Sequence, residues 1–274
     1  MPAPNSLTCE RLFRLIGRPD APALIDVRSD QDAAAHPALL PGAVRRSAET
    51  IAAWAPAYAG RSVVVICAQG HARSEGVAAW LRLSGARAEI LEGGHAAWRE
   101  AGLPLVPENR IPARDATGAT LWVTRARPKI DRIACPWVIR RFVDPAARFL
   151  FVAPAEVQGV AARFGATPFD IEGADVFWSH RGELCTFDVM IQEFGLSTPP
   201  LLQLATIVRG ADTARLDLAP EAAGLLAASL GLSRMYAGDL EQLDAGMLLY
   251  DAFYRWSRDA TGETHNWPTN KVKP

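Results

Sequence analysis

The stretch Ser62-Val-Val-Val-Ile-Cys67-Ala-Gln-Gly-His-Ala-Arg73-Ser74 leads from an apolar, β-branched run to a cysteine. A helical pattern then follows through Val77, Ala78 and Leu81. The run Val63–Ile66 reads as a buried parallel strand. Ala68, Gln69, Gly70, His71 and Ala72 separate Cys67 from Arg73. A thiol at a strand end would face the unpaired N–H groups of this loop and of the helix that follows. Such groups cradle an anion. With Arg73 near, they also lower a thiol pKa and favour the nucleophilic thiolate. The competing reading is a core cysteine buried in front of a turn.

The second half offers three polar-rich stretches. Residues 125–141 place Lys129, Asp131, Arg132 and Cys135 at a helix entrance, with Asp131 and Cys135 on one helical face. Residues 178–188 bring His180, Glu183, Cys185 and Asp188 close in sequence, and residues 208–212 add Arg209 and Asp212. Asp251 on the last helix is a possible late contributor. Two chemistries fit these types. One is a metal site built from imidazole, carboxylate and thiolate, with His180, Glu183 and Cys185 as candidate ligands. The other is an oxyanion pocket lined by Lys129, Arg132, Arg140 and Arg209. The structural alternative makes His180 a hydrogen-bonded strand residue, Arg140-Arg141 a solvated face and Asp131 a helix cap. No exact ligand motif is met.

The positioning elements follow from periodicity. Thr8 caps a first helix with Leu12, Leu15 and Ile16 on one face. A strand at 24–28, a helix at 33–40, a short strand at Val44 and a helix at 51–58 come next. Strand 62–67, helix 74–84, strand 88–91 and helix 95–101 complete an alternation that predicts a parallel sheet with helices on both faces. Leu105–Gly118, with two prolines and little apolar periodicity, reads as a linker. Beyond it the pattern predicts strand 120–124, helix 132–142 begun by Asp131, strand 148–152, helix 154–164 and short strands at 169–171 and 176–180. Helices at 187–194, 199–209, 220–230 and 240–257 follow, with a polar tail after Thr261. The fold class expected is α/β, with a second α+β domain ending in a helical bundle. The boundaries are 5–107 for the first domain, 108–118 for the linker and 119–262 for the second.

The chain has 274 residues, 49% hydrophobic and 22% charged, a balance typical of folded globular proteins. A net charge of −1 gives no general electrostatic reason to expect nucleic-acid binding. The four cysteines (Cys9, Cys67, Cys135, Cys185) are widely spaced. They form neither a disulfide framework nor a zinc-finger pattern and suit a reducing cytoplasm. Residues 1–20 mix charged and apolar groups, so no secretory leader is expected. No apolar run is long enough to span a bilayer.

The flanking motifs add a resemblance. Leu24-Ile-Asp26-Val-Arg28, Pro41-Gly42-Ala43, the cysteine loop and Leu91-Glu-Gly93-Gly94-His95-Ala-Ala-Trp98 stand in the order found in single-domain rhodaneses. The segment resembles that family over residues 5–107. The resemblance implies that Cys67 carries a sulfane sulfur as a persulfide and passes it to a thiol acceptor. Asp26 and Arg28 would support the loop. One departure is the five-residue spacing from Cys67 to Arg73, where the family usually has four. The wider spacing is similar to rhodanese-fold phosphatases and arsenate reductases, whose loop accepts a tetrahedral oxyanion.

A second resemblance covers residues 120–258. The segments RPKIDRIACPWVIRRF, ATPFDI, FWSHRGELCTFD and GMLLYDAFYRW look like the C-terminal domain of ChrB-type chromate-resistance proteins. Together these imply a cytoplasmic thiosulfate or persulfide sulfurtransferase linked to chromate resistance. The alternative is a chromate-, oxyanion- or metal-binding sensor or reductase-like protein. Sulfurtransfer needs no cofactor, and a metal ion in the second domain stays open. The expected partners are a small sulfur donor, a thiol acceptor and chromate or a related oxyanion. Nucleic acid and membrane are not expected partners.

Overall fold

The computed structural model describes residues 5–173 and 176–263. Strand β1 (Ser6–Leu7) and helix α1 (Cys9–Leu15) lead into β2 (Ala23–Asp26), α2 (Asp30–Ala35), β3 (Ala38–Leu39), β4 (Ala43–Arg45) and α3 (Ile51–Trp54). Then come β5 (Ser62–Ile66), α4 (Ala72–Leu83), β6 (Arg87–Leu91), α5 (Gly94–Glu100) and β7 (Val106–Pro107). Thr8 caps α1, its hydroxyl accepting the Arg11 N–H. Five parallel strands lie in the order β1-β6-β5-β2-β4, which puts β5 at the centre. Its residues alternate between two cores, as a strand buried on both faces requires. Val63 and Val65 join Val77, Ala78 and Leu81 of α4. Val64 and Ile66 face Leu12 and Trp98 on the other side.

Several boundaries differ from the periodicity. The helix expected at 33–40 starts at Asp30, because the Ser29 hydroxyl accepts the Asp32 N–H at 3.1 Å. Ala38–Leu39 is instead a strand, antiparallel to β7. That pairing draws the front of the proline-rich Leu105–Gly118 stretch into the first domain. The helix expected at 51–58 tightens into a 3-10 turn over Ala55–Tyr58, where Pro56 has no N–H for an α-helical bond. Helix α4 opens two residues early, at Ala72.

The second half contains β8 (Leu121–Arg125), α6 (Asp131–Val138), β9 (Arg148–Val152), α7 (Val157–Phe164) and β10 (Thr167–Pro168). Helices α8 (Thr186–Glu193), α9 (Pro199–Asp212), α10 (Ala222–Met235) and α11 (Asp239–Asp259) follow. The strands form a parallel sheet in the order β10-β8-β9. Helix α6 continues as a wider π turn over Ile139–Val143. The two short strands expected around 169–180 reduce to one bridge between Phe169 and Trp178. The polar tail beyond Glu263 lies outside the described residues.

One apolar core runs through both halves. It joins Leu12, Trp98 and Val106 to Trp137, Phe142, Phe194 and Leu204. The Gly42 N–H donates to the Phe142 carbonyl at 2.6 Å across the junction. A Cβ on Gly195 would meet the Leu105 carbonyl oxygen at 2.6 Å, so only glycine allows the backbones this close. No described helix is long and apolar enough to cross a membrane.

Candidate functional site

Cys67 follows the last residue of the central strand, at the carboxyl edge where parallel sheets place their ligands. Its side chain is 5% exposed, under a loop whose tip carries the exposed Gln69 and His71. The Gly70 N–H donates to Sγ at 3.1 Å, and the Ser74 hydroxyl lies 3.1 Å from Sγ. Burial works against ionisation of this thiol. The Ser74 hydroxyl and the N–H groups of His71, Gln69 and Ser74 outweigh it and pull the pKa below that of an ordinary cysteine.

The loop is held from behind. Gly94 has φ +59°, and a Cβ there would collide with the Cys67 carbonyl oxygen. The His95 and Ala96 N–H groups, in the first turn of α5, donate to the Cys67 and Ala68 carbonyls at 2.9 and 3.0 Å. Gly70, at φ +74°, sits against the Leu91 carbonyl and the Gly93 amide. Ser74 and the Gly93-Gly94-His95 buttress contact the cysteine loop, and motif spacing left them without a role. The signals for them are the serine at the first turn of the helix that faces the thiol and the Gly93-Gly94-His95 run within the family-like motif.

Asp26 and Arg28 form a buried ion pair at 2.8 Å. Arg28 also donates to the His36 and Ala38 carbonyls at 2.9 Å, so the pair fixes the segment beside β2 rather than the cysteine loop itself. Arg73 reaches outward to Glu49 at 2.9 Å. With Arg28, Asp30, Arg45, Arg46 and Glu49 it lines a groove of mixed charge, in which Arg45 pairs with Asp30 at 2.8 Å.

The second domain gathers a different cluster. The His180 Nε2 lies 3.5 Å from Asp131 Oδ2, 3.4 Å from Asp170 Oδ1 and 3.3 Å from Asp212 Oδ2. Asp131 begins α6 and is fully buried. Asp170 follows β10 with φ +49°, and its Oδ1 accepts the Thr186 hydroxyl at 3.0 Å. Arg132 and Arg125 reach its other oxygen at 3.3 and 3.4 Å. His180 is 40% exposed, so solvent meets the cluster on its side. Hydrogen bonds from His180 to Asp131, Asp170 and Asp212 push the imidazole pKa up. Burial, then Asp212 and Asp170, holds Asp131 above the usual carboxylate range despite His180.

Other residues singled out from the sequence fall elsewhere. Asp131 does not cap its own helix. Its Oδ2 accepts the Thr186 and Phe187 N–H groups at 2.6 and 3.3 Å, at the start of α8. Glu183 is exposed on a tight turn closed by Arg181 and Leu184. Cys185 is a buried N-cap whose N–H donates to Asp188 at 3.1 Å. Burial and Asp131 push its thiol pKa well up, and the same two causes act on Cys135. Neither Glu183 nor Cys185 joins His180; the side chains gathered around it are Asp131, Asp170 and Asp212 instead.

The basic residues scatter as well. Arg209 pairs with Asp188 at 2.7 Å, Arg140 with Asp244 at 3.3 Å, and Lys129 is exposed beside Arg127 and Arg234. Only Arg132 of that set touches the cluster, so no shared oxyanion pocket forms from the four. Asp251 accepts the Trp137 indole N–H and both arms of Arg141 at 2.8 Å, a core contact.

Comparison with known proteins finds two families along the chain. Residues 8–101 match the family model for a rhodanese-like domain, and residues 122–257 match that for the ChrB C-terminal domain. Over 156 residues the chain is 32% identical to Protein ChrB of Cupriavidus metallidurans, covering 56% of this chain and 46% of that protein. The match thus spans about half the length of that relative. A rhodanese-related protein from Thermoplasma volcanium covers 38% of this chain and 98% of its own, at 23% identity and a TM-score of 0.33. A rhodanese-like domain protein from Staphylococcus aureus covers 35% and 91%, at 27% identity and a TM-score of 0.31. A rhodanese-like domain at residues 8–101 is therefore joined, in one chain, to a ChrB C-terminal domain at residues 122–257.

Proposed function

We propose that this chain is a cytoplasmic sulfurtransferase acting in chromate resistance, with Cys67 as the persulfide carrier. The observation that carries the reading is the Cys67 sulfur held at 3.1 Å by both the Gly70 N–H and the Ser74 hydroxyl, under a loop open at its tip. The Cys67 thiolate attacks the sulfane sulfur of thiosulfate or of a persulfide. A new S–S bond forms, the donor's S–S bond breaks, and sulfite or thiolate leaves with the electron pair. A thiolate acceptor then attacks the outer sulfur, and Cys67 departs as thiolate. The loop N–H groups stabilise the negative sulfur at both stages.

The groove lined by Arg28, Arg45, Arg46 and Arg73 also holds Asp30 and Glu49, so its excess of positive charge is small and draws anionic donors weakly. Arg73 pairs with the exposed Glu49, a surface ion pair of the kind that contributes little, so Arg73 would be free to turn to a donor anion. The four cysteines are unpaired, which fits a reducing compartment. The link to chromate rests on the ChrB C-terminal match and the 32% identity to Protein ChrB.

The test has two arms. Intact-mass analysis after thiosulfate treatment shows one added sulfur atom on wild type and none on Cys67→Ser. A chromate-sensitive bacterial host gains resistance from wild type and less from Cys67→Ser. Full resistance with Cys67→Ser would remove the link between sulfur transfer and chromate.

A further inference from the structure

We propose that Asp131, Asp170 and His180, with Asp212 beside them, bind one divalent first-row transition cation in the second domain. Two independent observations support the site. The first is the convergence of mixed donors on one point. The ligand atoms of Asp131, Asp170 and His180 all lie within 4.8 Å of one another. Three carboxylate oxygens surround His180 Nε2 at 3.3, 3.4 and 3.5 Å. One imidazole N–H makes one good hydrogen bond, and good N–H···O bonds are about 2.7–3.2 Å. The observed distances are longer and nearly equal. Each is close to the separation, about 3.4 Å, of two donors that share an ion about 2.1 Å away.

The second observation is an orphaned oxygen. Asp131 is fully buried, and its Oδ1 has no hydrogen-bond partner. Its Oδ2 already accepts two N–H groups from α8, which fixes the carboxylate in place. A buried, partnerless carboxylate oxygen is costly unless something positive meets it. Oδ2 is the oxygen that meets His180, so a cation on the cluster would offset the buried charge of this carboxylate as a whole. The Thr186 hydroxyl on Asp170 and the α8 amides on Asp131 orient the ligands from outside, as outer partners do in metal sites.

The donor set defines the class of ion. One imidazole with two or three carboxylates suits manganese, ferrous iron or zinc rather than soft, thiolate-seeking ions. Cys135 and Cys185 are both buried with raised thiol pKa values, and neither is a ligand. His180 and Asp212 are 40% and 20% exposed, so the ion has an entry path and a side open to water.

The test strips the full chain with a chelator and titrates it with Mn2+, followed by the electron paramagnetic resonance signal of free Mn2+, with Zn2+ as competitor. One ion per chain is expected. Loss of an outer partner alone typically weakens a metal site about 10–100-fold, so Asp170→Asn and His180→Ala should each weaken binding at least about tenfold. Asp212→Asn, at a partly exposed helix end, keeps the fold and should also weaken it. Circular dichroism checks each variant, and Cys67→Ser should bind as wild type does. Failure of wild type to bind either ion, or unchanged binding in the folded variants, would overturn the proposal. Neither outcome depends on sulfur transfer.

Discussion

The Cys67 sulfur and the Ser74 hydroxyl lie 3.1 Å apart, across a loop that spans from the central strand to the first turn of α4. The hydroxyl stabilises the thiolate, so the folded thiol ionises at lower pH than a free cysteine. Alkylation of Cys67 by iodoacetamide should therefore stay fast to a lower pH than alkylation of a model thiol. Ser74→Ala removes one lowering influence, so its profile should move to higher pH. At neutral pH its alkylation should be about fivefold slower, the worth of a hydrogen bond of about 1 kcal/mol. A profile identical to wild type would mean that the backbone N–H groups act alone.

Gly94 closes the loop from behind. Gly94→Ala places a methyl against the Cys67 carbonyl at a φ of +59°, which side chains rarely adopt. Chemical denaturation should show a loss of about 1–3 kcal/mol, with sulfur transfer falling further than stability because the cradle itself shifts. Unchanged stability would contradict the close approach.

Arg28→Ala leaves the buried Asp26 without its guanidinium partner and removes one hydrogen bond each from the His36 and Ala38 carbonyls. Breaking a buried pair from one side costs about 3–5 kcal/mol. Arg28→Lys should recover only part of it, since a lysine cannot reproduce the three-way guanidinium contact.

The shared core predicts cooperative unfolding. Trp98 of the first domain and Trp137 of the second lie in one apolar cluster. Tryptophan fluorescence and far-ultraviolet circular dichroism should give coincident denaturation curves. Two separated transitions would show that the junction contributes little.

Much of this arrangement was legible in the sequence. The alternating apolar runs identified the central strand, and the thiol, glycine and helix start in order identified the loop. The second domain was less legible for physical reasons. Asp131, His180 and Asp212 stood out by type, but Asp170 follows a two-residue strand after a proline and has no local pattern. Glu183 and Cys185 looked like companions of His180 because they are near in sequence. A turn at Gly182 sends Glu183 to solvent, and Cys185 is absorbed as a helix cap. Spacing along a chain cannot foresee a site assembled from a strand end, two helices and a turn.

The most direct measurement of the central claim is a thiosulfate-to-cyanide transfer assay on purified wild type and Cys67→Ser, paired with intact mass after thiosulfate alone. The account predicts turnover and one added sulfur for wild type, and neither for Cys67→Ser. Turnover that survives in Cys67→Ser, or a wild type that neither turns over nor gains sulfur from thiosulfate and persulfide donors alike, would contradict it.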